Sequence, residues 1–258
     1  MFNNPPLEIL TVPVRKPKQS LPDRVAEQLR LEILSGLYAP GDKLRPELEL
    51  AKRFEVNRFT VREAMNKLEQ MHLIKRRPGI GTVVLDYNEN ASIDVLGDLV
   101  IGPDGRMNPF VVSHLLEAAR VLSVEVSALA AERRNDSDLR KLSAVVTEMR
   151  IEKRLSKIAA LDYEFHSALA GAAGNIVPRL VLNSVRGLLV KYAPLLETLY
   201  IATDSMVECY DHVVDAIKAR DSERARSLTR WIWHFRHQRF VDLLEQHGRP
   251  QQLAAKLS

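Results

Sequence analysis

The chain has 258 residues, of which 46% are hydrophobic and 27% charged, with 11 glycines, 13 prolines and one cysteine. That balance suits one large or two small globular domains and excludes a disordered chain. The lone Cys209 excludes an internal disulfide framework and any multi-cysteine metal cluster, and an uncharged run of about a dozen residues falls short of the ~20 of a membrane span. The first 20 residues are rich in proline and lysine and lack an apolar stretch, so no secretory leader is expected and a soluble, cytoplasmic protein is.

The net charge of +4 is unevenly placed. Residues 1–88 hold 15 Lys/Arg against 11 Asp/Glu, whereas residues 89–258 hold 22 of each. Between 52 and 77, eight basic residues (Lys52, Arg53, Arg58, Arg62, Lys67, Lys75, Arg76 and Arg77) stand against three acidic ones. Such a patch suits a polyanion. A solvated basic face would give the same arithmetic, so the pattern around these residues has to decide.

Residues 1–20 read as a flexible arm, with Pro5, Pro6, Pro13 and Pro17 among Arg15, Lys16 and Lys18. A helix is expected from Leu21, with Pro22 and Asp23 in its first turn, an apolar stripe of Val25, Leu29, Ile33 and Leu34, and Gly36 at its end. After the turn Ala39-Pro40-Gly41-Asp42, Pro46 can open a short helix over 47–54, since proline is tolerated at the first helical position. Asn57 is a candidate N-cap for a third helix over 58–71. Residues 73–77 and 82–85 are β-prone and flank Pro78-Gly79-Ile80-Gly81, which predicts a hairpin. Helix, helix–turn–helix and hairpin within 21–86 make a winged helix–turn–helix.

Residues 87–107 are expected to form a linker with a short helix over 92–100 and a turn at Gly102-Pro103-Asp104-Gly105. Beyond it no strand signal recurs. Amphipathic helices are predicted over 109–134, 137–155, 156–173, 176–200, 204–219 and 222–247, making residues 108–250 an antiparallel helical bundle long enough to enclose a ligand cavity. The fold class is therefore mainly α, with one small hairpin.

In a helix–turn–helix the second helix enters the major groove N-terminus first. Here that end is Asn57-Arg58-Phe59-Thr60-Val61-Arg62. Arg58 and Arg62 are four apart and share a face, and an arginine there can grip guanine O6 and N7 together. Asn57 and Thr60 can bond phosphates or bases, and Phe59 can touch a thymine methyl. Arg76 and Arg77 approach the wing tip at Gly79. Ala64, Met65 and Leu68 are expected in the domain's own core.

Residues 22–85 resemble the DNA-binding domain of the GntR family of bacterial transcriptional regulators. The matching pieces are Ile33-Leu34-Ser35-Gly36, Pro40-Gly41-Asp42-Lys43-Leu44, Glu49-Leu50-Ala51, Val56 to Ala64 and Gly79-Ile80-Gly81-Thr82. The resemblance implies that Asn57, Arg58, Thr60 and Arg62 contact operator DNA, with Gly79 at the wing tip. One departure stands out. Where the family has Leu-Pro-Ser-Glu-Arg-Glu-Leu, this chain has Leu44-Arg45-Pro46-Glu47-Leu48-Glu49-Leu50, so the usual base-reading arginine is Leu48 and an arginine appears instead at Arg45.

The helical region is similar to the ligand-binding domain of the FadR subfamily, through Asp162-Tyr163-Glu164-Phe165-His166 followed by Gly174-Asn175. The resemblance implies one of two sensors. In one class an aspartate and a histidine at i and i+4, with two further histidines, hold a metal that receives a carboxylate effector. Counted from Asp221, the two further positions fall on Tyr210 and Ile232, neither a histidine. His212 and His234 lie two residues away, a rotation of about 200° on a helix. No metal or other cofactor is therefore expected, and Asp162 with His166 is expected to form a polar pair.

The other class binds a long-chain acyl-CoA without metal, and the segment 161–188 looks closer to that one. The resemblance places Arg120, Asp162, His166, Asn183, Arg186, Lys191 and Tyr210 at the effector site, with Arg120, Arg186 or Lys191 able to meet an anionic head group. The last helix departs from that class in carrying Trp231, Trp233 and Phe235, and the first bundle helix reads Glu117-Ala118-Ala119-Arg120 where the family has Glu-x-Arg.

The expected function is a repressor-like regulator, a homodimer reading a palindromic double-stranded operator, with operator affinity set by a small-molecule effector such as an acyl-CoA. A metal-assisted carboxylate sensor through Asp162 and His166 is the alternative. An enzyme is not expected: Cys209 and His212 sit in a helix without an oxyanion turn, and no phosphate loop or dinucleotide fingerprint is present. Neutrality of the second domain argues against an architectural or RNA-binding role.

Overall fold

Ser20 opens the first helix, and in the computed structural model it does so as an N-cap. The structure describes residues 20–102, 106–191 and 204–246. They fall into two units that meet in sequence between Asn108 and Pro109. The arm expected over residues 1–19 lies outside the described residues.

In the first unit, α1 spans Leu21–Leu34, and Ser20 and Asp23 form a reciprocal capping box. Asp23 also accepts a hydrogen bond from Lys67 of α3 (Arg58–Gln70). α2 is Glu47–Arg53, with Pro46 at the N-cap rather than inside the helix, its extended backbone leaving the Pro46 carbonyl to accept from Leu50 N–H at 3.0 Å. Asn57 caps α3: its Oδ1 accepts from Thr60 N–H at 2.8 Å and from the Thr60 hydroxyl at 3.1 Å. Val25, Leu29, Ile33, Leu50, Val61, Met65 and Leu68 fill the core between these helices.

β1 (Ile74–Arg77) and β2 (Gly81–Val84) pair antiparallel, Ile74 opposite Val84 and Arg77 opposite Gly81. Gly79 and Gly81 take φ of +74° and +110°, which side chains rarely adopt, and this permits the tight wing tip. Residues 87–100 carry α4 (Tyr87–Asn90), a 3-10 turn (Ile93–Val95) and α5 (Leu96–Val100). They pack on the same unit. Val95 joins its core, and Arg30 of α1 clasps Asp98 of α5 at 2.7 Å.

The second unit is helical throughout its described residues: α6 (Pro109–Arg133), α7 (Asp136–Ile151), α8 (Leu155–Ala172), α9 (Ile176–Lys191), α10 (Asp204–Lys218) and α11 (Ser222–Gln246). α6 lies along α11, and α8 packs against both α6 and α7. Leu142, Val146, Phe165, Leu169, Val213, Ile217 and Ile232 are buried between them. α7 stops at Ile151, earlier than the apolar pattern suggested. The Glu152 carboxylate accepts the N–H groups of Lys153 and Arg154, both at 2.9 Å, and so takes over the chain's turn. Gly174, at φ +63°, closes α8. The stretch 192–200 of the helix predicted after Ile176 lies outside the described residues.

Candidate functional sites: a nucleic-acid interface and a buried polar cluster

The first site is built on the exposed end of α3. Arg58 and Phe59 stand in solvent, Phe59 with 71% of its surface exposed, an unusual cost for an aromatic ring. Arg62, one turn on, is also exposed, but it is held in place by a forked ion pair with Glu47 at the start of α2, Nη2–Oε2 3.0 Å and Nε–Oε1 3.3 Å. The hydrogen bond and charge of Arg62 hold the Glu47 carboxyl below the usual range. Glu47 carried no signal in the sequence as a partner of Arg62, because it lies on a different helix.

The remaining expected DNA contacts divide in two. Arg45, Arg77 and Gly79 are exposed and face outward from the loop before α2 and from the wing. Asn57, exposed, and Arg76, partly exposed, each make hydrogen bonds within the domain, as does Thr60. Thr60 is buried and its hydroxyl points back to the cap. Arg76 reaches inward: Nη1 donates to Asn66 Oδ1 at 2.8 Å and Glu69 Oε2 at 3.1 Å, and Nη2 to the Arg62 carbonyl at 3.3 Å. It therefore braces the wing against α3. Leu48, in place of the expected base-reading arginine, is 49% exposed on α2.

The second site lies inside the helical unit. Asp162 of α8 is buried, and its Oδ1 accepts from the guanidinium of Arg236 on α11 and from the hydroxyl of Tyr210 on α10. Arg236 also donates to the Tyr210 oxygen. His166, one turn along α8, places Nε2 3.6 Å from the same carboxylate oxygen. Aromatic rings enclose the group: Phe165 meets Tyr210 edge-on at 4.8 Å, Trp233 lies 5.4 Å from the His166 ring, and the Arg236 guanidinium sits 4.8 Å over Trp233. Burial alone would raise the Asp162 pKa, yet the charge of Arg236 and the hydrogen bonds from Arg236 and Tyr210 bring it below the ordinary value. Burial pushes His166 down, so it is neutral at pH 7.

Several polar atoms around this cluster are buried without a hydrogen-bond partner among the described residues: His166 Nε2, Trp233 Nε1 and, one turn before Trp233, Thr229 Oγ1. Each orphan costs about 1–3 kcal/mol of desolvation and calls for a partner.

The other residues expected at an effector site are not gathered here. Tyr163 follows Asp162 and is rotated about 100° from it. Its hydroxyl donates to Asn183 at 3.3 Å, and Arg186 lies over its ring at 5.5 Å, with Asn183 and Arg186 both exposed. Arg120 is partly buried on α6, where its charge, after burial, His234 and Glu117, bears on His237, itself bonded to Ser113 at 2.9 Å. The Lys191 side chain lies outside the described residues. Arg236 was missed by the sequence reading, although it stands four residues past the Ile232 position and so shares its face.

Among the described residues, metal donors do not assemble. Tyr210 and Ile232 occupy the two positions where the resemblance would place histidines, Ile232 in the apolar core. His212 and His234 are exposed. Among the described residues no group of three or more His, Cys, Asp or Glu gathers, and none of the helices is long and apolar enough to cross a membrane.

Comparison with known proteins agrees with both halves. Residues 21–84 match the model of bacterial regulatory proteins of the gntR family, and residues 114–235 match the FCD domain. The HTH-type transcriptional regulator LutR of Bacillus subtilis is 34% identical over 62% of this chain and 71% of its own length. The fatty acid metabolism regulator protein of Edwardsiella ictaluri is 26% identical over 84% of this chain and 92% of its own. Among solved structures, the Lar protein of Listeria monocytogenes shares the fold at a TM-score of 0.57 and 18% identity, covering 88% of this chain and all 100% of that one. With its wing, its exposed α3 terminus and its helical second domain, the chain belongs to the GntR family of DNA-binding transcriptional regulators and carries an FCD domain.

Proposed function

We propose that this regulator binds its operator as a homodimer and that a small molecule held in the helical unit sets its operator affinity. The observation that carries the reading is the pair of buried polar atoms, His166 Nε2 and Trp233 Nε1, that lie against the Asp162–Arg236 pair without a hydrogen-bond partner among the described residues, in a unit separate from the DNA-reading helix. Arg58, Phe59, Arg62 and Arg77 supply the protein side of the operator contact, one copy per half-site of a palindrome. Effector binding would shift the population of states and alter operator affinity by ~5–150-fold, the usual range of allosteric coupling. Relief of repression is the expected sign.

Two effector classes are supported by different observations. A long-chain acyl-CoA or related fatty-acid metabolite is favoured by likeness to the fatty acid metabolism regulator protein of E. ictaluri. A small carboxylate is favoured by the donors Trp233 Nε1, Thr229 Oγ1 and Arg236, which suit an acceptor-rich ligand. The test is fluorescence anisotropy of the full chain on DNA enriched by repeated selection, titrated with palmitoyl-CoA and, separately, with lactate, pyruvate and citrate. Release by palmitoyl-CoA alone supports the first class and release by a small acid alone the second. Tight selected binding that responds to none of them removes both.

A further inference from the structure

We infer that the guanidinium of Arg236 is the resident cation of the polar cluster and occupies the place a divalent metal would take, so that this regulator works without one. The inference deepens the effector reading but does not depend on it. Three observations lead there. First, Asp162 already has its positive partner, bonded to the oxygen nearest His166. A divalent ion on that oxygen would sit beside a guanidinium that is only 4% exposed, where little water screens repulsion between like charges. Second, among the described residues the donors are too few. The Tyr210 hydroxyl is turned to the carboxylate, Ile232 lies in the core, and one aspartate with one histidine is less than a stable tetrahedral site requires. Third, Arg236 is itself built in. It bonds Asp162 and Tyr210 and is covered by the Trp233 ring, so one side chain joins α8, α10 and α11 as a shared metal would.

The full chain, purified without chelator, is the material for the test, and neither DNA nor effector is needed. Metal content is read by inductively coupled plasma mass spectrometry, and thermal unfolding is followed with EDTA and with added Zn²⁺, Mn²⁺ or Ni²⁺. The expected result is no stoichiometric metal and no shift of the helical unit's melting temperature in any of these. Arg236→Gln should lower that temperature by roughly 10 °C, the cost of stranding a buried carboxylate. Asp162→Asn combined with Arg236→Gln should recover much of the loss, and it serves where the single variant does not fold.

One equivalent of tightly held metal in the wild-type chain, or a melting temperature that falls with EDTA, would overturn the inference. So would an Arg236→Gln variant as stable as wild type. Because none of these readouts involves an operator, a regulator with no effector at all would still give the expected result, and the two readings fail separately.

Discussion

Two ion pairs of this protein have nearly the same chemistry and opposite uses. In the DNA-binding unit, Arg62 meets Glu47 with 60% of the arginine side chain in solvent. In the helical unit, Arg236 meets Asp162 with 4% and 6% of the two side chains exposed. In water an ion pair is nearly balanced against hydration, so Arg62 can leave Glu47 for a phosphate or a guanine at little cost. Buried, neither partner has anywhere else to go, and loss of one strands the other. Burial, rather than residue type, leaves one arginine able to exchange its partner and makes the other part of the framework.

The comparison breaks first where the effect is largest. Asp162→Ala should destabilise the helical unit by about 3–5 kcal/mol by leaving Arg236 buried and uncompensated. Chemical denaturation followed by Trp231 and Trp233 fluorescence reads that unit, since both tryptophans lie in α11. A loss below 1 kcal/mol would mean that the guanidinium finds another partner.

On the DNA side, Arg58→Ala should weaken selected-operator binding by ~1–3 kcal/mol while leaving the melting temperature unchanged, as expected for an exposed base-reading side chain. Unchanged affinity would remove it from the interface. Arg77→Ala and Arg76→Ala sharpen the same point. Arg77 should cost affinity and reduce the salt dependence of binding by about one unit of slope. Arg76 should also lower stability, because Asn66, Glu69 and the Arg62 carbonyl lose their common donor.

A pH titration gives a smaller effect with a defined sign. Burial lowers the pKa of His166, and burial followed by His234 lowers that of His237, so the unfolded chain takes up protons first as pH falls. Their stabilising contribution is therefore full above about pH 6.5 and declines below it. Asp162 is shifted below the ordinary carboxylate value, so its contribution persists until pH falls through that range. Melting curves from pH 7.5 to 5 should show a decline that His166→Gln reduces. Smallest of all is Glu47→Gln. It should leave stability within experimental error and tighten operator binding slightly, because Arg62 no longer has a competitor of opposite charge.

Much of this was legible in the residues themselves. Asn57 was recognisable as a cap because a short side-chain acceptor ahead of a helix satisfies an otherwise orphaned N–H, and it does so for Thr60. The wing followed from β-prone runs around two glycines, both of which take positive φ. The helix breaks near residues 135, 174 and 221 followed from local turn chemistry. By contrast, the burial of Thr60 and the bonds of Arg76 to Asn66 and Glu69 were not legible from their segments. Asn183 and Arg186 lie on α9, apart from the helices that build the cluster, and meet Tyr163 instead.

Local sequence therefore determined the helices, their caps and the hairpin, since each depends on interactions spanning a few residues. Tertiary structure decided which arginine serves which purpose. Arg236 and Asp162 are 74 residues apart, and Arg62 and Glu47 lie on separate helices. Helical periodicity says which way a side chain points. It does not say what stands opposite, because that depends on how neighbouring helices pack and on how much water their packing leaves.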